Sequence, residues 1–125
     1  MAYELTEAEF ATLVDDALAD LPTEILEHLL NVAVTTADWP SSQELHRAGV
    51  QHPWQLLGLY EGVPLTRRGT NYNLVVPDRI VIYRGPLQHA FRSQSEIRQQ
   101  VRRTVVHEIA HHFGLDENRI RELGY

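Results

Sequence analysis

Residues 107–117 have the sequence HEIAHHFGLDE, and the rest of the chain can be interpreted as the scaffold that holds this segment. Its first five residues form the pattern His-Glu-x-x-His. Positions i and i+4 of an α-helix lie on one face about one turn apart, so His107 and His111 can direct their imidazoles at one point. This arrangement suits a divalent metal ion, usually zinc, with Glu108 beside it as a general base.

The residues that follow predict a turn that carries an acid back to the same ion. Glycine adopts positive φ without strain, so Gly114 can end the helix and reverse the chain. Asp116 or Glu117 can then supply a third ligand. We favour Glu117, which lies ten residues after His107, over Asp116, and Glu122 is a more remote alternative.

The chemistry of such a site follows from its ligands. Two neutral imidazoles and one carboxylate leave the fourth position of a tetrahedral zinc site for water. Zinc lowers the pKa of that water towards neutrality, and Glu108 can take its proton and later deliver it to a leaving amine. His112 shares a helix face with Glu108 and not with the ligand pair, so we expect it to have a structural role. The other histidines are isolated in the sequence and are expected at the surface (His28, His46, His52, His89). A tyrosine hydroxyl could donate a hydrogen bond to the oxyanion of the reaction, and the sequence does not choose among four of them (Tyr60, Tyr72, Tyr83, Tyr125).

The composition indicates one globular domain over residues 1–125. Cysteine is absent, so a metal must be bound through histidine or carboxylate side chains. The first residues lack the basic and apolar regions of a signal peptide and no run reaches membrane-spanning length, which favours a cytoplasmic protein with no membrane partner. With 17 acidic residues, 11 arginines and a net charge of −6, nucleic-acid binding is not expected. The arginines at 98, 102 and 103 are expected to form a solvated helix face.

Hydrophobic periodicity, capping residues and prolines predict an α+β domain. The expected elements are helices over about 6–20, 23–30, 41–48, 93–113 and 118–123, and strands over about 31–39, 56–62 and 79–84. Residues 62–77 are expected to form a loop, with Arg67 and Arg68 near the surface. Prolines flank the strand at 79–84, so we expect it near a sheet edge, where it can bind an extended peptide.

Several blocks of the chain resemble the small bacterial zincin-like metallopeptidases, the minimal zincins with the motif HExxHxxGxx(D/E). The similar blocks are residues 57–68 (LGLYEGVPLTRR), 77–87 (PDRIVIYRGPL), 101–114 (VRRTVVHEIAHHFG) and 123–125 (LGY). The resemblance implies a zincin-like minimal domain, in which a small mixed β-sheet packs on a long active-site helix. It also implies zinc held by His107, His111 and an acid after Gly114. Aspartate is usual in the family where this chain has Glu117, so Asp116 stays open as the alternative ligand.

The sequence therefore predicts a zinc-dependent metallohydrolase, most specifically a metallopeptidase that acts on a peptide or protein substrate. Two alternatives remain open. In the first, the protein binds zinc without turnover, and a protein ligand such as His89 closes the fourth position. In the second, it is a regulatory protease that cuts a single partner protein.

Overall fold

The longest helix of the fold begins and ends where the local signals predict. The Ser93 side chain accepts a hydrogen bond from the Glu96 backbone N–H at 3.1 Å and so caps the first turn. At the other end, Gly114 has a φ of +76°, the left-handed conformation that glycine adopts without strain. The helix expected over residues 93–113 is confirmed as Gln94–Phe113.

The computed structural model describes residues 4–62 and 78–125. The elements in these residues are α1 (Glu7–Ala19), α2 (Thr23–His28), β1 (Val32–Ala37), α3 (Ser42–Ala48), β2 (Gly58–Glu61), β3 (Asp78–Tyr83), α4 (Arg84–Ala90), α5 (Gln94–Phe113) and α6 (Glu117–Glu122). Short 3-10 turns at Leu29–Asn31 and Pro53–Gln55 precede β1 and β2. The loop expected over residues 62–77 lies outside the described residues except for its first position.

The three strands form a mixed sheet in the order β1-β3-β2. β1 runs parallel to β3, and β2 runs antiparallel to it. The prediction that the strand at 79–84 lies at a sheet edge is wrong, because β3 is the central strand. The flanking prolines, at positions 77 and 86, fall outside the strand Asp78–Tyr83 and therefore remove none of its ladder donors. The small mixed sheet beside a long helix confirms the expected α+β fold class.

Alternate residues of β3 face two different apolar layers, as the pleat of a strand requires. Ile80 and Ile82 belong to the main core, in which the sheet packs against α1 and α5. The members that α1 and α5 contribute to it are Phe10, Leu13, Val14, Ala17, Ile97, Val101, Val105, Val106, Ile109 and Ala110. Val81 and Tyr83 form a smaller cluster with Leu56 on the opposite face, against Leu45 and Ala48 of α3. The sheet and α1 thus bury one face of α5, and within the described residues the opposite face, which carries the histidine pair, is left accessible for chemistry.

Helix α4 was not predicted from the sequence. The pair Gly85-Pro86 indicates the end of a strand, and the chain instead turns directly into a helix after Tyr83. Proline is tolerated there because it lies in the first turn, where its missing N–H has no helical partner to lose. Leu87, which is fully buried in the main core, anchors α4.

α5 has the length of a membrane span but not its composition. It contains 20 residues, of which Glu96, Arg98, Arg102, Arg103 and Glu108 are charged. Within the part of the chain that the structure describes, no helix is both long and apolar enough to cross a membrane.

Gly58 lets β2 approach α5 closely. A Cβ atom at this position would lie 2.7 Å from Cγ2 of Thr104, 3.1 Å from the Val81 carbonyl oxygen and 3.2 Å from Cδ1 of Ile82. We expect Gly58→Ala to lower the free energy of unfolding by about 1–3 kcal/mol, because the sheet and the helix must separate to admit the methyl group. Urea unfolding measures this change.

Two variants test the cause of that loss. Thr104→Ser removes the closest methyl group and should restore part of the stability of Gly58→Ala in the double variant. Gly62→Ala is the matched control, because its Cβ would lie 3.6 Å from the nearest atom among the described residues beyond its two chain neighbours, Cε1 of His112. Equal stability of Gly58→Ala and Gly62→Ala would contradict the steric argument.

Candidate metal centre

The histidine pair lies near the C-terminal end of α5, on the side away from the core. Val105, Val106, Ile109 and Ala110 are fully buried, so the helix is fixed in rotation by its apolar face. His107 is half-buried and His111 is exposed. Their ring centres are 6.3 Å apart, with an angle of 69° between the ring planes. The i, i+4 spacing therefore places two imidazoles side by side over one surface, as the sequence predicted.

The side chain of Glu108 points from the same turn towards the sheet. Burial raises the pKa of its carboxyl group above the ordinary glutamate value. A smaller influence of His111 and a hydrogen bond donated by the backbone N–H of Tyr60 act in the opposite direction. The carboxylate of Glu108 is therefore held between the histidine pair and strand β2.

The backbone of β2 explains how Tyr60 can donate to a helix. The backbone N–H of Tyr83 donates to the Leu57 carbonyl at 3.0 Å, which marks residues 57 and 83 as a hydrogen-bonded pair. Such pairs alternate along an antiparallel ladder, so the N–H and C=O groups of Gly58 and Tyr60 point away from β3. The edge of β2 that does not pair with β3 thus lies beside Glu108.

A cluster of three side chains ties β2 and β3 to the last turn of α5. The ring of Tyr60 stacks on His112, with centres 3.9 Å apart and 17° between the planes. The Tyr60 hydroxyl donates to Oδ2 of Asp78 at 2.7 Å, and Nε2 of His112 lies 3.7 Å from the same oxygen. His112 is therefore engaged away from the histidine pair. Sequence reasoning missed Asp78 and the backbone of Tyr60, since nothing local signals a contact between residues so far apart in the chain.

The tyrosines and the remaining histidines separate by location. Tyr83 is fully buried on the opposite face of the sheet, where its hydroxyl donates to Glu44 at 2.6 Å. Tyr125 packs against the main core, and Tyr72 lies outside the described residues. His28 stacks on Phe113 and His52 on Trp54. His46 and His89 are exposed on α3 and α4.

The three candidate acids after Gly114 have different surroundings. The Asp116 side chain accepts a hydrogen bond from the Arg119 backbone N–H at 2.8 Å and so caps α6. Glu122 lies 2.8 Å from Nη1 of Arg119. Glu117 is exposed in the first turn of α6. In residues 4–62 and 78–125, no three histidine or acidic side chains are grouped closely enough to hold a metal ion, so the structure brings together His107, Glu108 and His111 but does not add a third ligand to them.

The donor chemistry of the histidine pair nevertheless fits a zinc ion. Each ring centre lies roughly 3.2 Å from an ion that it binds, so tetrahedral coordination by both rings would place their centres about 5.2 Å apart. The observed 6.3 Å is longer than that by about 1 Å, so metal binding would require the two side chains to rotate towards each other. Imidazole nitrogen is also a preferred zinc ligand, and cysteine is absent from the chain. The donor set is therefore that of a nitrogen- and oxygen-ligated zinc site, and the spacing of its two imidazoles is within about 1 Å of the tetrahedral one.

A helix that presents His-Glu-x-x-His beside a small mixed sheet defines the class of zincin-like domains. The sequence matches the family model described as "Zincin-like metallopeptidase" over residues 29–125. The chain belongs to this family. The comparison with curated proteins finds no match to the sequence.

Proposed function

We propose that this protein is a zinc-dependent metallopeptidase, in which His107, His111 and Glu117 bind the metal and Glu108 is the general base. The observation that carries the proposal is the geometry at the end of α5. Two imidazoles lie side by side there, and a half-buried carboxyl group lies between them and a strand edge. Membership of the zincin-like metallopeptidases supports the same activity.

The residues of the chain divide the catalytic work. When bound, zinc supplies Lewis-acid polarisation of the attacking water and of the substrate carbonyl. Glu108 accepts the proton of the attacking water at its carboxylate and then donates it to the leaving amine. Burial of Glu108 supports this role, because a raised pKa makes the carboxylate a stronger proton acceptor. The hydrogen bond from the Tyr60 backbone N–H fixes the orientation of that carboxylate.

The surroundings of the acids favour Glu117 as the third ligand. Asp116 already serves as the cap of α6, and Glu122 already pairs with Arg119. Glu117 is exposed, and no hydrogen bond or ion pair engages its carboxylate in the described part of the chain. Movement of its side chain towards the histidines therefore breaks no hydrogen bond or ion pair within the described residues.

The outer edge of β2 is the proposed platform for the substrate. Its outward N–H and C=O groups at Gly58 lie two residues from the Tyr60 N–H that donates to Glu108, so an extended peptide that pairs with Gly58 would pass the histidine pair. This role replaces the one expected for the strand at 79–84, which is β3 and has neighbours on both sides. A protein or peptide substrate is thus bound through its backbone.

The raised pKa of Glu108 leads to a prediction about the metal-free protein. The folded state binds the proton of Glu108 more tightly than the unfolded chain, whose ordinary value is 4.5. This contribution to stability is fully present below pH 4.5 and is lost as the pH rises through the raised pKa. We expect the stability of the native chain, relative to Glu108→Gln, to fall as the pH rises above 4.5 and through the raised pKa of Glu108. Urea unfolding of both proteins measures the difference, and a difference that grows with pH would contradict the prediction.

Metal analysis combined with peptide digestion tests the proposed function. The purified protein is expected to contain about one zinc ion per chain, as measured by elemental mass spectrometry. It should cleave members of a mixed peptide library, lose this activity with a chelator and regain it when zinc is restored. Zinc binding without any cleavage would favour the non-hydrolytic alternative, and failure to bind zinc would exclude both.

A further inference from the structure

A groove runs along α5 from His107 towards the N-terminal end of the helix. One wall is the segment 55–58, and the other is formed by α5 from Gln100 to Glu108. Its volume is about 300 Å³. His107 and Glu108 line one end, and we refer to it below as the α5 groove.

Arg103 gives the other end of the α5 groove a positive charge. Among the described residues, the groove lining contains one basic residue, Arg103, beside the uncharged side chains of Gln55, Gln100 and Thr104. Glu108 is the one acidic residue of that described lining, and it lies at the metal end. Along its length, the groove therefore passes from the catalytic carboxylate to a guanidinium group.

The neighbouring arginines of α5 are engaged elsewhere. Arg102 lies 3.7 Å from Asp20 and donates to Gln99 at 2.8 Å. Arg98 lines a separate cavity together with Glu9 and Asp16 of α1. The three arginines therefore do not form one solvated face, because the helix distributes them to different neighbours.

No acidic side chain of the described residues lies within ion-pair distance of Arg103, although acids outnumber arginines in the chain by 17 to 11. The exposed guanidinium group therefore offers its donors to a ligand in the groove. Arginine binds carboxylates through two parallel hydrogen bonds, which gives direction as well as charge.

We propose that Arg103 is a specificity-determining residue that selects substrates with a carboxylate near the cleaved bond. The inference rests on the proposed peptidase function. Arg103 precedes His107 by four residues, which corresponds to about 6 Å along the helix axis. An extended peptide advances about 3.3 Å per residue, so the carboxylate belongs about two residues from the cleaved bond. It can come from an acidic side chain or from the free C-terminus of the substrate.

Peptide binding tests this proposal without requiring turnover. The probes are three octapeptides of otherwise identical uncharged residues: one capped at both ends with a central glutamate, its glutamine counterpart, and a third with a free C-terminal carboxylate. They are titrated into the zinc-loaded Glu108→Gln chain and followed by NMR. We expect one or both carboxylate peptides to bind about three- to tenfold more tightly than the glutamine peptide, as a partly exposed charged pair allows. The peptide that gains affinity identifies the source of the carboxylate.

Matched substitutions assign the preference to Arg103. Arg103→Gln should abolish it, whereas Arg102→Gln should preserve it, since Arg102 does not line the α5 groove. Equal binding of all three peptides, a preference that survives Arg103→Gln, or no binding at millimolar peptide would overturn the proposal. Digestion by the native chain is the separate readout of the proposed function: absence of cleavage there, together with an Arg103-dependent binding preference, would reject the peptidase and retain the carboxylate site.

Discussion

Glu108→Gln is expected to lower kcat for a cleaved peptide at least about a hundredfold, the contribution typical of a positioned general base. Glutamine keeps the size and the burial of the side chain but cannot accept a proton at neutral pH. Its amide oxygen can still accept the hydrogen bond from the Tyr60 backbone N–H. We therefore expect zinc content and KM to change little, and steady-state kinetics with metal analysis separates these quantities from kcat.

A second glutamate on the same helix provides the control for Glu108→Gln. Glu96 is exposed in the first turn of α5, far from the histidine pair, so Glu96→Gln changes the charge equally and should leave kcat unaltered. Activity that survives Glu108→Gln would exclude this carboxylate as the general base. A loss of zinc in the same variant would assign Glu108 to metal binding instead.

The second large effect concerns the acid that completes the metal site. Glu117→Ala is expected to weaken zinc binding at least about a hundredfold. Removal of a side chain that only hydrogen-bonds to a metal ligand weakens binding by up to about a hundredfold, so removal of a ligand should weaken it at least as much. Asp116→Ala removes the cap of α6, which should lower the free energy of unfolding by about 1 kcal/mol with a much smaller effect on zinc. Competition with a chelator measures zinc affinity, and unfolding of the metal-free protein measures the cap.

The opposite outcome would be equally informative. If Asp116→Ala abolishes zinc binding and Glu117→Ala does not, the ligand is Asp116 and the capping contact must be released when the metal binds. Glu122→Ala completes the comparison, since Glu122 is the third acid and pairs with Arg119. We expect it to retain both zinc and stability within about 0.5 kcal/mol, as is usual for an exposed ion pair.

Features that depend on neighbours in the chain were predictable from the sequence. The limits of α5 follow from the capping by Ser93 and from the left-handed Gly114, and both effects act within one turn. The approach of His107 to His111 follows from the helical repeat alone. These short-range rules were sufficient to predict the helix, the histidine pair and, with the strand patterns, the fold class.

Features that depend on strand order or on contacts between distant residues were not predictable in this way. The prolines beside β3 define where the strand ends but contain no information about which strands pair with it, so its central position was missed. The contact between Tyr60 and Glu108, and the separation of Arg103 from Arg102, arise only when β2 and α1 pack on α5. Whether an acid after Gly114 reaches the histidines depends on side-chain paths that no spacing rule specifies.

The family match begins at residue 29, whereas much of the apolar surface that covers α5 comes from before that point. α1 contributes Phe10, Leu13, Val14 and Ala17 to the core, each at most 4% exposed, and Ile25 of α2 is fully buried. A segment restricted to the matched residues would leave the apolar face of the metal helix open to water, and large exposed patches of this kind promote aggregation. The stretch by which the family is recognised is thus shorter than the stretch that builds the core around α5, and the position of the histidine pair depends on burial provided from outside that match.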